Sequence, residues 1–305
     1  MKFASFLPPN SSEIHLGVLL NDVDVLDVTA LSLSPEGQAI GELPRSMEEL
    51  VARSSLGMAA IKSALESSGA TRHRLAQSEI TFAPPLKPKK NIFCVGRNYR
   101  EHIIEGNIAN GRPANSFPEA IEFFTKPPTA IVGHGADIWR HAALTNSLDY
   151  EVELAIVIGK AGRDISEEQA LDHVFGYTVV NDITARDLQK RHGQWFKGKG
   201  LDTTCPMGPV ITHKDAIANP NALKLGLLVN GEERQSASTD DMIFTVQAII
   251  AQLSAGMTLE PGDVISTGTP KGVGFAAIPP RCLDVGDVIT AYVEGVGELR
   301  NVVVP

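Results

Sequence analysis

The stretch SLDYEVELAIVIGKAG, Ser147 to Gly162, decides how the rest of the chain is read. Its aliphatic run reads as a strand bound for the interior, yet Asp149, Glu151 and Glu153 stand in it at alternate positions. Side chains at i and i+2 of a strand leave from one face, so the three acids share a side while Tyr150, Val152 and Leu154 take the other. Like charges in a row raise one another's pKa or weaken the strand, and a bound cation removes both effects.

Around this stretch, from Asn91 onward, short β-type runs follow one another: NIFCVG, AIVG, VFGYTVVND, LGLLVNG, DVISTG, DVITAYVEG and GELRNVVV. Strands follow strands, and no glycine-rich dinucleotide fingerprint opens a helix, so the class is α+β and β-rich rather than a doubly wound sheet. VNGE, Val229–Glu232, is an Asn-Gly hairpin signal. The clearest helix is TDDMIFTVQAIIAQLSAG, Thr239–Gly256, with acids at its start and Gly256 at its end. Before Asn91 the pattern changes. Two β-like runs, IHLGVLL and VDVLDVTAL, precede a helix with Ser46 as cap, Glu48 and Glu49 in its first turn and Gly69 as stop. APPLKPKKN then breaks regular structure. Residues 1–85 are therefore expected to form a small N-terminal αβ domain and 86–305 the larger domain.

Composition narrows the function. Of 305 residues, 43% are hydrophobic and 21% charged, as in a soluble globular protein. No apolar run is long enough for a bilayer, and MKFASFLPPNSS has no proper signal-peptide core, so a cytoplasmic location without membrane contact is expected. A net charge of −9 with scattered basic residues argues against a nucleic-acid partner. Cys94, Cys205 and Cys282, odd in number and far apart, suit reduced thiols.

Asp182 falls where an apolar strand gives way to a loop or helix, and with Glu151 and Glu153 it offers three oxygens to a hard dication such as Mg²⁺. The alternative is a solvated edge face with Asp182 capping a helix, and on spacing alone that alternative stands slightly ahead. His102 and Glu105 are three apart, so on a helical turn the carboxylate can orient the imidazole as a general base; a surface pair of little consequence has the same spacing. The glycine-rich EGNIANGRPANS that follows fits a mobile cover. In GQWFKGKGLDT, Lys197 reads as exposed and idle, whereas Lys199, near Trp195 and Phe196, reads as a partly buried partner for surplus carboxylates. STGTPKGVGF lacks phosphate-loop spacing, but its amides and Thr269 could hold a carboxylate or keto group.

Taken in order, GRNYREHIIE, FFTKPPTAIVG, LDYEVELAIVIGK, GYTVVNDITARDLQ, GQWFKGKGLDT and ISTGTPKGVG resemble the fumarylacetoacetate hydrolase family from about Asn91 to the C-terminus. The resemblance implies a mixed β-sandwich or roll catalytic domain, a homodimer, and Mg²⁺ or Mn²⁺ held by Glu151, Glu153 and Asp182. It places the family dyad on His102 and Glu105, the catalytic lysine on Lys199, and substrate contacts on Arg186, Gln189 and Thr269. Asp149 matches a residue not generally assigned as a ligand. The lysine motif departs from the family's Gly-Lys-Ser-Phe, reading Gly-Lys-Gly-Leu here, and GNIANGRPANSFPEAIEF is longer than in compact relatives. The activity it implies first is hydrolysis of a C–C bond in an acylpyruvate or fumarylpyruvate-like diketo acid, with His102 activating water. The alternative is an isomerase, decarboxylase or hydratase of related 2-oxo acids.

Overall fold

The computed structural model describes residues 1–305. Its centre is a twelve-stranded sheet. From one edge the strand path is Arg74–Ala76, Asp24–Asp27, His15–Leu19, Lys2–Leu7, Cys205–His213, Val174–Asn181, Val152–Ile158, Val264–Ser266, Ile92–Gly96 and Glu122–Lys126. A five-stranded sheet, built on Lys224–Val229, Val288–Val293 and Gly297–Val304, lies against one face. The expected strand-after-strand, β-rich α+β class is what the chain adopts.

Burial explains why the run Val152–Ile158 does not alternate: all seven residues are buried. Val152, Leu154, Ile156 and Ile158 enter a core shared with the five-stranded sheet and the helix Val246–Ser254. Ala155 and Val157 enter a second core, against the N-terminal strands and the helix Met47–Glu66. A strand covered on both faces reads as continuous apolar sequence.

The sheet does not stop at the expected domain boundary. Lys2, Phe3 and Ala4 pair antiparallel with Thr212, Ile211 and Val210, so the N-terminal strands extend the larger domain's sheet. Residues 83–91 carry no helix or strand; the division at 85/86 falls in irregular chain and is kept as a proposal.

Two helices differ from expectation at their ends. Ser46 caps Met47–Glu66 through Glu49 N–H as read, but the helix stops at Ser67, and Gly69, buried, opens a further turn. The acids Asp240 and Asp241 belong to a separate 3₁₀ turn, Thr239–Asp241, under the Ser238 hydroxyl. The helix proper begins at Val246 with Thr245 as its cap. Local polar side chains closed a turn of their own before the apolar helix could extend backward.

What positions the site is the parting of two central strands. Val152 pairs with Asn181. One step on, Glu151 N–H donates to Asn181 Oδ1 at 3.0 Å and Asp182 N–H to Glu151 O at 2.8 Å. Pairing then resumes as a separate ladder, Leu148–Asp149 against Thr184–Ala185. The single strand expected from Ser147 to Gly162 is thus broken at Tyr150 and Glu151, where a carboxylate from each chain segment turns inward.

Candidate functional site

Glu151, Glu153 and Asp182 are all buried, and one oxygen of each lies within 4.8 Å of the others. Burial removes the solvated-edge alternative, and Asp182 caps no helix. Glu153 Oε2 accepts from the Ser266 hydroxyl at 2.5 Å and Gly268 N–H at 2.9 Å. Lys199 Nζ stands 2.7 Å from both Glu151 Oε2 and Asp182 Oδ2. Lys126 Nζ, fully buried, is 2.8 Å from Asp182 Oδ1 and is held by the carbonyls of Ile183 and Lys199. Its approach to Oδ1 lacks hydrogen-bond angles, so that oxygen is buried without a properly aimed donor.

Charge balance follows. Burial, then Asp182 and Glu151, push Glu153 up to about 8. Burial also opposes ionisation of Glu151, but Lys199 and Arg186 outweigh it and hold that carboxyl at about 2. For Lys199 burial works against the charge, and Asp182 and Glu151 raise its pKa nonetheless. An all-oxygen cluster with one acid forced to keep its proton and one oxygen short of a donor fits a hard divalent cation.

The third acid of the row has another task. Asp149 Oδ1 accepts from Gly274 N–H at 2.7 Å, and Oδ2 from Phe275 N–H at 3.1 Å and Arg186 Nε at 2.9 Å. It fastens a loop; no place among the three clustered oxygens is left to it. Arg186, expected to face substrate, has Nη2 2.6 Å from Glu151 Oε1 and its guanidinium 4.5 Å from the centre of the Phe275 ring. Its Nη1 reaches Gln189 Oε1 at 3.4 Å.

His102 and Glu105 lie on the helix Arg100–Ala109, with Nδ1 3.0 Å from Glu105 Oε1. Glu105 also accepts the Gly272 N–H at 3.0 Å, which docks the helix on the loop. Gly272 has φ +102° and a Cβ there would sit 2.0 Å from Arg234 O, so only glycine permits this approach. With Nδ1–H donated to Glu105, the neutral imidazole keeps its lone pair on Nε2. The loop that holds Glu105 through Gly272 N–H also holds Glu153 through Gly268 N–H, which sets the helix beside the carboxylate cluster.

The loop after Ser266 thus meets Glu153, Glu105, Asp149 and Arg186. Thr269, 3% exposed, accepts from Gln235 Nε2 at 2.9 Å. Lys199 sits on the short helix Phe196–Lys199 with Nζ 5.1 Å from the centre of the Phe124 ring, and Trp195 packs edge-on against Phe124. Phe196, expected to help bury that lysine, is instead 48% exposed, and Lys197 is exposed as read. Cys94 and Cys205 are buried thiols, pushed up by burial. Lys126 and Gln235 were missed by sequence reasoning. The first stands unremarkably in FFTKPP, and the second shows only the alternation of an ordinary strand.

The model for the fumarylacetoacetate hydrolase C-terminal domain matches residues 91–304. Oxaloacetate tautomerase YisK of Bacillus subtilis is 45% identical over 99% of this chain and 99% of its own. Mitochondrial oxaloacetate tautomerase fahd2 of Xenopus laevis is 38% identical over 100% of this chain and 90% of its own. Among solved structures, a fumarylacetoacetate hydrolase from Exiguobacterium antarcticum aligns with TM-score 0.80 and 41% identity over 100% and 99% of the two chains. Maleylpyruvate hydrolase from Sphingobium sp. SYK-6, in complex with manganese(II) and pyruvate, aligns with TM-score 0.75 and 32% identity, covering 100% and 99%.

Proposed function

The chain belongs to the fumarylacetoacetate hydrolase family, and from that premise we propose that it is a divalent-metal-dependent isomerase of 2-oxo acids, interconverting the keto and enol forms of an oxaloacetate-like dicarboxylate. The hydrolase expected first from sequence becomes the second reading. Near full-length likeness to two proteins named oxaloacetate tautomerase favours the isomerase; the solved hydrolase with manganese and pyruvate keeps the other reading in view.

The observation that carries the proposal is the His102–Glu105 pair docked on the loop beside the carboxylate cluster. Tautomerisation moves one proton between C3 and the 2-oxo oxygen and needs no water. Histidine is suited to proton exchange near neutral pH. With Nδ1 held by Glu105, His102 presents Nε2 to take the C3 proton and return it to oxygen. Glu105 steers the ring. Lys199, fixed between Glu151 and Asp182, places positive charge beside the oxygen that becomes negative. Arg186 and Gln189 shape the wall, and Thr269 offers a hydroxyl to the substrate. Glu151, Glu153 and Asp182 would hold Mg²⁺ or Mn²⁺. Such a cation supplies polarisation of the substrate's keto and carboxylate oxygens, which lowers the cost of the enolate.

A homodimer, a cytoplasmic location and a small 2-oxo acid as the partner belong to the same reading; no helix is long and apolar enough to cross a membrane. The test is to load the protein with Mn²⁺ and follow the enol absorbance of oxaloacetate together with pyruvate. Rapid loss of enol absorbance without pyruvate supports the tautomerase. Cleavage of acetylpyruvate to pyruvate, with oxaloacetate equilibration left at the buffer rate, replaces it with the hydrolase.

A further inference from the structure

Gln235 is 1% exposed and lies in the strand Glu232–Ser238 of the five-stranded sheet, outside every motif that marks the site. Its amide is fully used. Oε1 accepts from Val152 N–H at 2.9 Å, and Val152 stands between Glu151 and Glu153. Nε2 donates to Thr269 Oγ1 and to Pro270 O, each at 2.9 Å. The amide orientation follows from its partners, because Val152 N–H can only donate and Pro270 O can only accept.

One consequence concerns the Thr269 hydroxyl. A hydroxyl that accepts from Gln235 has its own proton left to give elsewhere. We propose that Gln235 is a positioning residue that polarises Thr269 as a donor toward the anionic oxygens of the substrate and ties that loop to the backbone between the two clustered glutamates. An anion that met a hydroxyl free to turn would have to pay for its orientation; here the orientation is set by a buried amide before binding. The inference rests on the 2-oxo acid reading given above.

Gln235→Glu separates the two halves of this clamp. A carboxylate still accepts from Val152 N–H, so the strand carrying Glu151 and Glu153 keeps its anchor. Toward the loop it reverses the polarity. Thr269 must now donate to the introduced carboxylate rather than to substrate, and Pro270 O meets an acceptor.

The probe is oxalate, a planar dianion that mimics the pyruvate enolate, titrated by calorimetry into the Mn²⁺-saturated full chain. At high pH Gln235→Glu should bind oxalate about 10- to 100-fold more weakly, the range for loss of one charge-assisted hydrogen bond, while Mn²⁺ binds no more weakly than to the parent. As pH falls and the introduced carboxyl takes a proton, it regains a donor for Thr269, so the ratio of variant to parent affinity should recover; a merely structural defect would not track pH. Thr269→Val should lose affinity to a similar degree, Thr269→Ser should keep it, and adding Gln235→Glu to Thr269→Val should cost nothing further. The Val and Ser pair decides the hydroxyl's part whether or not Gln235→Glu folds. Parent-like oxalate binding by Gln235→Glu at every pH, additive losses in the double variant, or unchanged binding by Thr269→Val overturns the inference while leaving the function in place. Failure of the parent protein to bind either oxalate or oxaloacetate overturns the 2-oxo acid reading itself, and the inference with it.

Discussion

Lys199 Nζ and Asp182 Oδ2 lie 2.7 Å apart with both side chains out of solvent, so the ammonium engages an oxygen that a cation would want. Glu151 Oε2 is engaged by the same ammonium at the same distance. A bound dication and Lys199 therefore share ligands, and each lowers the need for the other. Lys199→Met should tighten divalent-metal binding, because a competing buried charge is gone, while turnover is lost. The metal-free variant should be less stable by about 3–5 kcal/mol, the cost of leaving buried partners uncompensated. Thermal unfolding with and without Mn²⁺ checks both: the metal-induced rise should be larger in the variant than in the parent. A smaller rise would place Lys199 among the groups that help to hold the metal.

The pH dependence of metal uptake follows from Glu153. Its folded-state pKa is raised to about 8 by burial and by Asp182 and Glu151. Below that pH the metal-free carboxyl keeps its proton, and metal binding must expel it. Apparent affinity should therefore climb from about pH 6 toward 8 and level above. Calorimetry in buffers of different ionisation enthalpy should detect the released proton near neutral pH. An affinity flat across that interval would mean that Glu153 is already ionised before the metal arrives.

The sequence carried much of this site and little of its scaffolding, for a physical reason. Glu151 and Glu153 are visible because a strand's period puts them on one face, and His102 with Glu105 because one helical turn does the same. Lys126 and Gln235 serve backbone groups far along the chain, Ile183 O and Val152 N–H, and nothing in their local pattern points there. The break at Tyr150–Glu151 was equally hidden, since it depends on Asn181 Oδ1 replacing a ladder partner. Acids ahead of an apolar helix were misread for the opposite reason: the local signal was real, but it closed the turn Thr239–Asp241 instead of extending the helix.

Asp149 provides a stability prediction free of the chemistry. Its two oxygens take the backbone N–H groups of Gly274 and Phe275 and the Arg186 Nε, and the side chain is fully buried. Asn at this position keeps one acceptor oxygen and points an NH₂ at donors. Asp149→Asn should destabilise the protein by about 3–5 kcal/mol, as for breaking a buried ion pair, and loosen residues 272–275. Denaturant unfolding and amide exchange at Gly274 and Phe275 measure the two effects. Parent-like protection of those amides would show that the loop is held from elsewhere.

Isomerisation and hydrolysis part company at His102, because only one of them consumes water. If Nε2 shuttles a proton between carbon and oxygen, His102→Ala should slow oxaloacetate tautomerisation by about 10²–10⁴-fold, the range for loss of a general base. Glu105→Gln should fall by less, since it turns the ring but transfers nothing, and its amide can still occupy the space beside Gly272. Metal affinity should be unchanged in both, as neither residue lies in the carboxylate cluster. Exchange of the C3 protons of oxaloacetate with deuterated solvent, followed by NMR, reads the proton transfer directly. If His102→Ala exchanges C3 protons at the parent rate but no longer cleaves acylpyruvates, then the imidazole activates water. The hydrolase reading would then replace the tautomerase, with the same carboxylates and lysine serving it.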